Sequence, residues 1–123
     1  MENASGEHLV PEKADLSAVP FAHDPMYQEF MKALVSQNKG KFDEASQSYR
    51  KVIEDYPQSF AAQYNLGLCF EKQGKWTEAI AAFEEASKLD PYSQTVYRHL
   101  IFTANKSGND KKARAYYAIY LKL

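Results

Sequence analysis

Residues 60–93 read FAAQYNLGLCFEKQGKWTEAIAAFEEASKLDPYS, and the fold turns on this stretch. It holds two apolar patterns of helical period, separated at Gln73-Gly74-Lys75 and closed by Pro91. Glycine at such a break supplies the left-handed backbone that a tight turn between helices needs, at no side-chain cost. Proline cannot continue the hydrogen-bond ladder and stops the helix before it. Ala79 suits a point where two helices cross closely. Phe83, four residues on, falls on the same face and fills the space beside that crossing.

These marks recur on both sides. Gly40, Gly74 and Gly108 are spaced by 34 residues, as are Ala45, Ala79 and Ala113, and as are Tyr49, Phe83 and Tyr117. Phe42 and Trp76 share the step, and so do Pro57 and Pro91. Five register marks at one period define an internal repeat, with units at about 26–59, 60–93 and 94–123. The pattern predicts six helices, near 26–38, 42–56, 60–73, 76–88, 94–107 and 110–122. Asp24–Pro25 opens the first, as an N-cap followed by proline at the first helical position. Before it, MENASGEHLVPEKADLSAVPFAH has two prolines and no sustained periodicity, so residues 1–24 are predicted to form a flexible or extended acidic arm.

Within 60–93, Leu66, Gly67, Phe70, Ala79, Phe83, Ala86 and Pro91 stand at the signature positions of the tetratricopeptide repeat family, which the chain resembles over 26–123. Gln63 departs from the pattern, standing where an aromatic is usual. The first repeat keeps Ala45, Tyr49 and Pro57 with a divergent first helix, and the third keeps Tyr97, Leu100, Gly108, Ala113 and Tyr117. The resemblance implies an all-α fold, three antiparallel helical hairpins stacked as a right-handed α-solenoid. It also implies a protein–protein interaction role, as an adaptor, assembly scaffold or chaperone-like module.

Composition narrows the function. The chain has 45% hydrophobic and 25% charged residues and a formal net charge of −1, ordinary for a soluble globular protein and short of the basic excess of a nucleic-acid binder. The charge is uneven along the chain. Residues 1–24 carry Glu2, Glu7, Glu12, Asp15 and Asp24 against Lys13, whereas 92–123 carries Arg98, Lys106, Lys111, Lys112, Arg114 and Lys122 against Asp110. The basic third repeat ranks third as a site, for an acidic partner or nucleic acid. One cysteine, Cys69, allows no internal disulfide and suits the core. No apolar run reaches the ~18 residues of a membrane span and no secretory signal opens the chain, so a cytoplasmic location is expected; an exported protein lacking its signal would read the same.

Catalytic signals are poor. His8, His23 and His99 are scattered, no pair has metal-ligand spacing on one helix face, and the glycines are isolated rather than grouped in a phosphate loop. The chain is therefore read as a non-enzyme with no cofactor and no metal. Glu84 and Glu85 read as solvated surface.

The resemblance instead points to the concave face that first helices line. The family's inward positions fall on Tyr27, Phe30 and Leu34 in repeat one, and on Ala61, Tyr64, Asn65, Leu68 and Glu71 in repeat two. In repeat three they fall on Arg98, His99, Phe102, Asn105 and Lys106. Aromatic and aliphatic residues there would form anchor pockets for a partner's peptide segment, with Asn65 and Arg98 set to bind backbone or a carboxylate. The lysine and arginine clamp of co-chaperones that hold chaperone C-termini is absent. Phe30, Leu34, Thr95 and His99 stand at those sites, and only Asn65 fits.

The two ends differ. Glu29, Lys32 and Ser36 form a polar stripe where the family carries large apolar residues, and are expected to close the array. Tyr116, Tyr117, Ile119, Tyr120, Leu121 and Leu123 offer more apolar surface than one neighbouring helix covers. They read as a frayed or truncated end, or as an interface with a partner or a second copy. Tyr116, Tyr117, Tyr120 and Leu121 would carry that interface and form a homodimer, and a purely structural oligomerisation unit is the alternative function. The apolar, acid-flanked segment Leu16–Phe21 of the arm could fold back into the groove or into a neighbour's.

Overall fold

The computed structural model describes residues 24–123, so the expectations placed on the arm lie outside the described residues. Six helices follow in order: α1 Pro25–Asn38, α2 Phe42–Asp55, α3 Phe60–Lys72, α4 Trp76–Leu89, α5 Gln94–Lys106 and α6 Asp110–Tyr120. The starts of α1, α3, α5 and α6 follow from side chains that satisfy orphan backbone donors. Asp24 accepts from the Met26 amide at 2.8 Å, Ser59 from Ala62 at 3.2 Å, Ser93 from Val96 at 3.3 Å and Asn109 from Lys112 at 3.1 Å.

The hairpin turns are alike. Gly40, Gly74 and Gly108 have φ of 77°, 73° and 79°, and the residue after each donates back into the first helix of its hairpin. Those bonds run from Lys41 to the Ser36 carbonyl, from Lys75 to Phe70 and from Asn109 to Ala104, at 2.8–2.9 Å. This is the wide-to-tight closure that a left-handed residue after a helix permits.

Substantial packing runs between consecutive helices, from α1 on α2 through to α5 on α6. The three hairpins therefore form the repeat array that the 34-residue period predicts. Ala45, Ala79, Tyr49 and Phe83 are fully buried at the crossings, and Ala113 nearly so. Gly67 makes the second crossing tightest: a Cβ there would lie 2.6 Å from Phe83 Cε1. The third repeat departs from the pattern. Ile101 holds the register position of Gly67, and Tyr117, the counterpart of Phe83, is 51% exposed. His99 of α5 stacks on Phe83 at 5.1 Å between centroids, whereas the described residues supply no following helix to cover Tyr117.

The joints between repeats differ in chemistry. Repeats one and two meet at exposed polar contacts as well as at their core. Asp43 accepts from Gln73, lies 3.9 Å from Lys75 Nζ, and Arg50 sits 5.2 Å over the Phe70 ring. Repeats two and three are tied by half-buried groups. Glu71 accepts from Thr103 Oγ1 at 3.0 Å and lies 3.1 Å from His99 Nδ1, and Glu84 accepts the Tyr116 hydroxyl and pairs with Lys112 at 3.3 Å.

Three readings need correction. Lys32 is exposed, but Ser36 is buried and Glu29 is half-buried with Oε2 sealed away and unpartnered. Packing of Ala33 against the core and Phe30 edge-on to Tyr49 fixes the rotation of α1 and carries position 36 inward. Met31 and Val35 are exposed instead, at 41% and 50%. At the other end Tyr116 is buried, three residues from Ala113 on the inward face and tilted against Tyr97 at 6.4 Å, so it is no part of an exposed interface. Glu84 is not plain solvated surface, because it receives that hydroxyl. Burial, with Glu84 adding, pushes the Tyr116 hydroxyl well above its ordinary value.

Candidate peptide groove

The groove builds from one face each of α1, α3 and α5. Tyr27, Phe30, Leu34, Tyr64, Asn65, Leu68 and His99 are all half-buried, and Arg98 and Phe102 are exposed. Half-burial is what a preformed anchor surface requires: one side of each ring is fixed by packing and the other is open.

Side-chain contacts link α3 to α5. Phe60 stacks on Tyr64 at 5.8 Å, Tyr64 meets His99 edge-on at 5.7 Å, and the Tyr64 hydroxyl lies 3.4 Å from His99 Nε2. With Nδ1 against Glu71 and its ring on Phe83, His99 is held on its packed side. It serves the groove as structure rather than as a free donor. Burial, with Glu71 adding, pushes the Tyr64 hydroxyl up. Asn65 is also partly committed, since its Nδ2 donates to the Ala61 carbonyl of its own helix at 2.8 Å, leaving Oδ1 to accept.

Two hollows open along this face. The first, about 580 Å³, is lined by Asp24, Met26, Tyr27, Phe30, Val52, Tyr56, Gln58, Ser59 and Ala61 and is almost wholly apolar. Tyr56 marks its rim, its hydroxyl donating to Asp24 at 3.0 Å, and that bond raises the hydroxyl's pKa. The second, about 520 Å³, lies between α3 and α5, lined by Glu71, Lys72, Trp76, Arg98, His99 and Phe102. Trp76 meets Phe102 edge-on at 6.4 Å, and Lys106 stands 5.5 Å over the Phe102 ring.

Sequence reasoning missed Val52, Tyr56, Lys72 and Trp76. Trp76 was visible as a register mark, and Lys72 follows Glu71 on the inward face. Val52 and Tyr56 come from the end of a second helix, which the inward pattern does not include. Arg98 has only the Thr95 hydroxyl, 3.3 Å from Nη2, and among the described residues no carboxylate pairs with Lys72, Arg98 or Lys106. The groove thus runs from apolar over repeat one to basic over repeat three.

A third hollow, about 640 Å³, sits at the open end of the array, lined by Ile101, Asn105, Ala113, Arg114, Tyr117, Ala118 and Leu121, with Asp110 at its edge. Leu121 is 65% exposed, and Tyr117 stacks on Tyr120 at 6.3 Å. Among the described residues no three His, Cys, Asp or Glu side chains gather as a metal site, and no helix is long and apolar enough to cross a membrane.

A family model described as Tetratricopeptide repeat matches residues 30–94. Among solved structures, MamA AMB-1 superposes with a TM-score of 0.76 at 26% identity, over 83% of this chain and 56% of that one. A mutant form of MamA gives 0.75 at 25% identity, over 87% and 76%. MamA from Desulfovibrio magneticus RS-1 gives 0.75 at 22% identity, over 82% and 57%, which shows the fold alone. The chain spans little more than half the length of the first of these, 56%. A search of curated proteins returns no match.

Proposed function

The chain belongs to the tetratricopeptide repeat family, and on that premise we propose that residues 26–123 are a protein–protein interaction module whose concave groove holds a peptide segment of a partner. One observation carries the reading: aromatic side chains on three successive first helices, half-buried at Tyr27, Phe30 and Tyr64 and exposed at Phe102, share a face with bases that no carboxylate pairs among the described residues. The segment that fits has apolar side chains for the hollow at Tyr27 and Phe30, and an acidic group for Arg98 and Lys72.

A photo-crosslinking residue placed at Phe30, Tyr64 or Phe102 tests this. The expected result is capture of one partner peptide from all three positions. The double variant Phe30→Ser, Arg98→Glu should weaken that capture at least tenfold, with the thermal midpoint kept. Capture from convex positions alone, or capture indifferent to the variant, would overturn the reading.

The apolar hollow at Ile101, Ala118 and Leu121 favours a second reading, in which this end pairs chains or receives another helix. Sedimentation with Tyr117, Tyr120 and Leu121 made polar separates the two readings. Dissociation of a dimer by these changes supports pairing, and a monomer before and after excludes it.

A further inference from the structure

The joints inside the chain are built twice on one register, and the two ends of the array carry the halves of another. Cys69 and Thr103 hold one repeat position on α3 and α5 and are fully buried, whereas Val35 holds it on α1 and is 50% exposed. His99 holds a second such position and is half-buried, where Met31 is 41% exposed. α1 therefore shows, bare and apolar, a face that α3 and α5 turn against the repeat before them.

The opposing half stands at the other end. Across the first joint Cys69 pairs with the Ser46 hydroxyl, and across the second Thr103 donates to Glu71 while His99 stacks on Phe83. The repeat step carries Ser46, Glu71 and Phe83 onto Arg114, Asn105 and Tyr117. All three line the hollow of about 640 Å³ at the open end, together with Ile101 and Leu121. That hollow is built as the seat of a first helix, and α1 has apolar side chains at the matching positions.

We propose that copies of this chain stack end to end, α1 of one copy seated in that hollow of the next, with Val35 and Met31 against Tyr117, Asn105 and Arg114. The two faces differ, so the contact is heterologous and can propagate. This rests on the reading that the open end pairs chains, and names the surface it pairs with.

Two departures make this joint weaker than the internal ones. Lys32 stands at the position of Leu66 and Leu100, which are buried. Lys111 stands at that of Asp43, which meets Gln73 and Lys75 across the first joint, and the register sets it against Lys39 and Lys41 of the adjoining copy. Like charges at an exposed rim repel and are screened by salt, so the stack is reversible and tightens as salt rises.

The test is sedimentation of the full chain with one face spoiled at a time. Val35 and Tyr117 are half-exposed, so Val35→Glu and Tyr117→Glu should keep the thermal midpoint. Wild-type chain should grow past a dimer as its concentration rises. Each variant alone should stay monomeric. An equal mixture of the two should form a dimer and stop there, because one intact half of the joint remains on each. Lys111→Asp should tighten association about threefold at low salt, the scale of a surface pair.

A Val35→Glu chain that still dimerises while Tyr117→Glu does not overturns stacking and leaves pairing through the open end standing. A mixture that stays monomeric, or Lys111→Asp that leaves association unchanged, overturns the stack. Wild-type chain that is monomeric throughout overturns both readings.

Discussion

Replacing Gly67 by alanine should strain the centre of the array, and the size of the effect follows from three distances. An added Cβ would meet Phe83 Cε1 at 2.6 Å, Cδ1 at 2.7 Å and Cζ at 2.9 Å. Carbon atoms rest at about 3.5–4.0 Å, so the ring must recede by about 1 Å. It has little room, because His99 stacks on it at 5.1 Å and Tyr64 tilts against it at 5.9 Å. Overpacking of this kind costs about 1–3 kcal/mol, and three clashing ring atoms place the site in the upper part of that range. Alanine in a helix interior returns about 1 kcal/mol over glycine. The net loss should be about 1–2 kcal/mol in urea unfolding followed by circular dichroism, with an unchanged denaturant slope. Phe83→Leu in the same chain should relieve the clash, so the double variant should be more stable than the sum of the single losses implies, by about 1 kcal/mol. Gly67→Ala that is neutral or stabilising, or a cycle that adds up, would refute the tight crossing.

Burial pushes the Cys69 thiol up to about 11 from an ordinary 9.0. The folded state therefore holds its proton more firmly, and the stabilisation present below pH 9 is lost as pH climbs to about 11. Wild-type protein should lose about 1 kcal/mol between pH 8.5 and 10 that Cys69→Ala does not lose, and parallel urea midpoints for the two chains would refute this. Tyr116→Phe removes the hydroxyl from Glu84 and should cost about 1–2 kcal/mol, seen first as faster amide exchange in α6. Exchange that rises first in α1 would contradict the assignment. Glu71→Ala strips His99 of its carboxylate partner and leaves Thr103 the His99 carbonyl, 2.6 Å from its hydroxyl; it should cost about 1–3 kcal/mol, with Glu71→Gln costing less because an acceptor oxygen remains. Equal losses in a thermal or urea titration would show that packing, not hydrogen bonding, ties α3 to α5.

The hairpins were legible because their signals are local. The period of Gly40, Gly74 and Gly108 fixes the turns, and Asp24 marks a helix start that the backbone then uses. Helix ends came within one or two residues, α6 closing at Tyr120 rather than 122. The ends of the array were less legible, because exposure there depends on helix rotation rather than on residue type. Ser36 and Tyr116 both turn inward, one despite being polar and the other despite standing in a terminal aromatic cluster. The groove positions were carried over from the family resemblance, which says nothing of the commitments of their side chains. Asn65 bonds its own helix and His99 is locked between Glu71 and Phe83, pairings that span four and 28 residues at Asn65–Ala61 and His99–Glu71. No periodicity announces such pairs.

The unlike chemistry of the two joints gives ionic strength uneven purchase along the array. At the first, Asp43 with Lys75 is open to solvent, their side chains 81% and 48% exposed, and added salt weakens such a pair within a Debye length of ~10 Å at 0.1 M. At the second, the Glu71 side chain is 10% exposed beside His99 and is screened far less. Rising salt therefore weakens the Asp43–Lys75 pair more than the contact between Glu71 and His99.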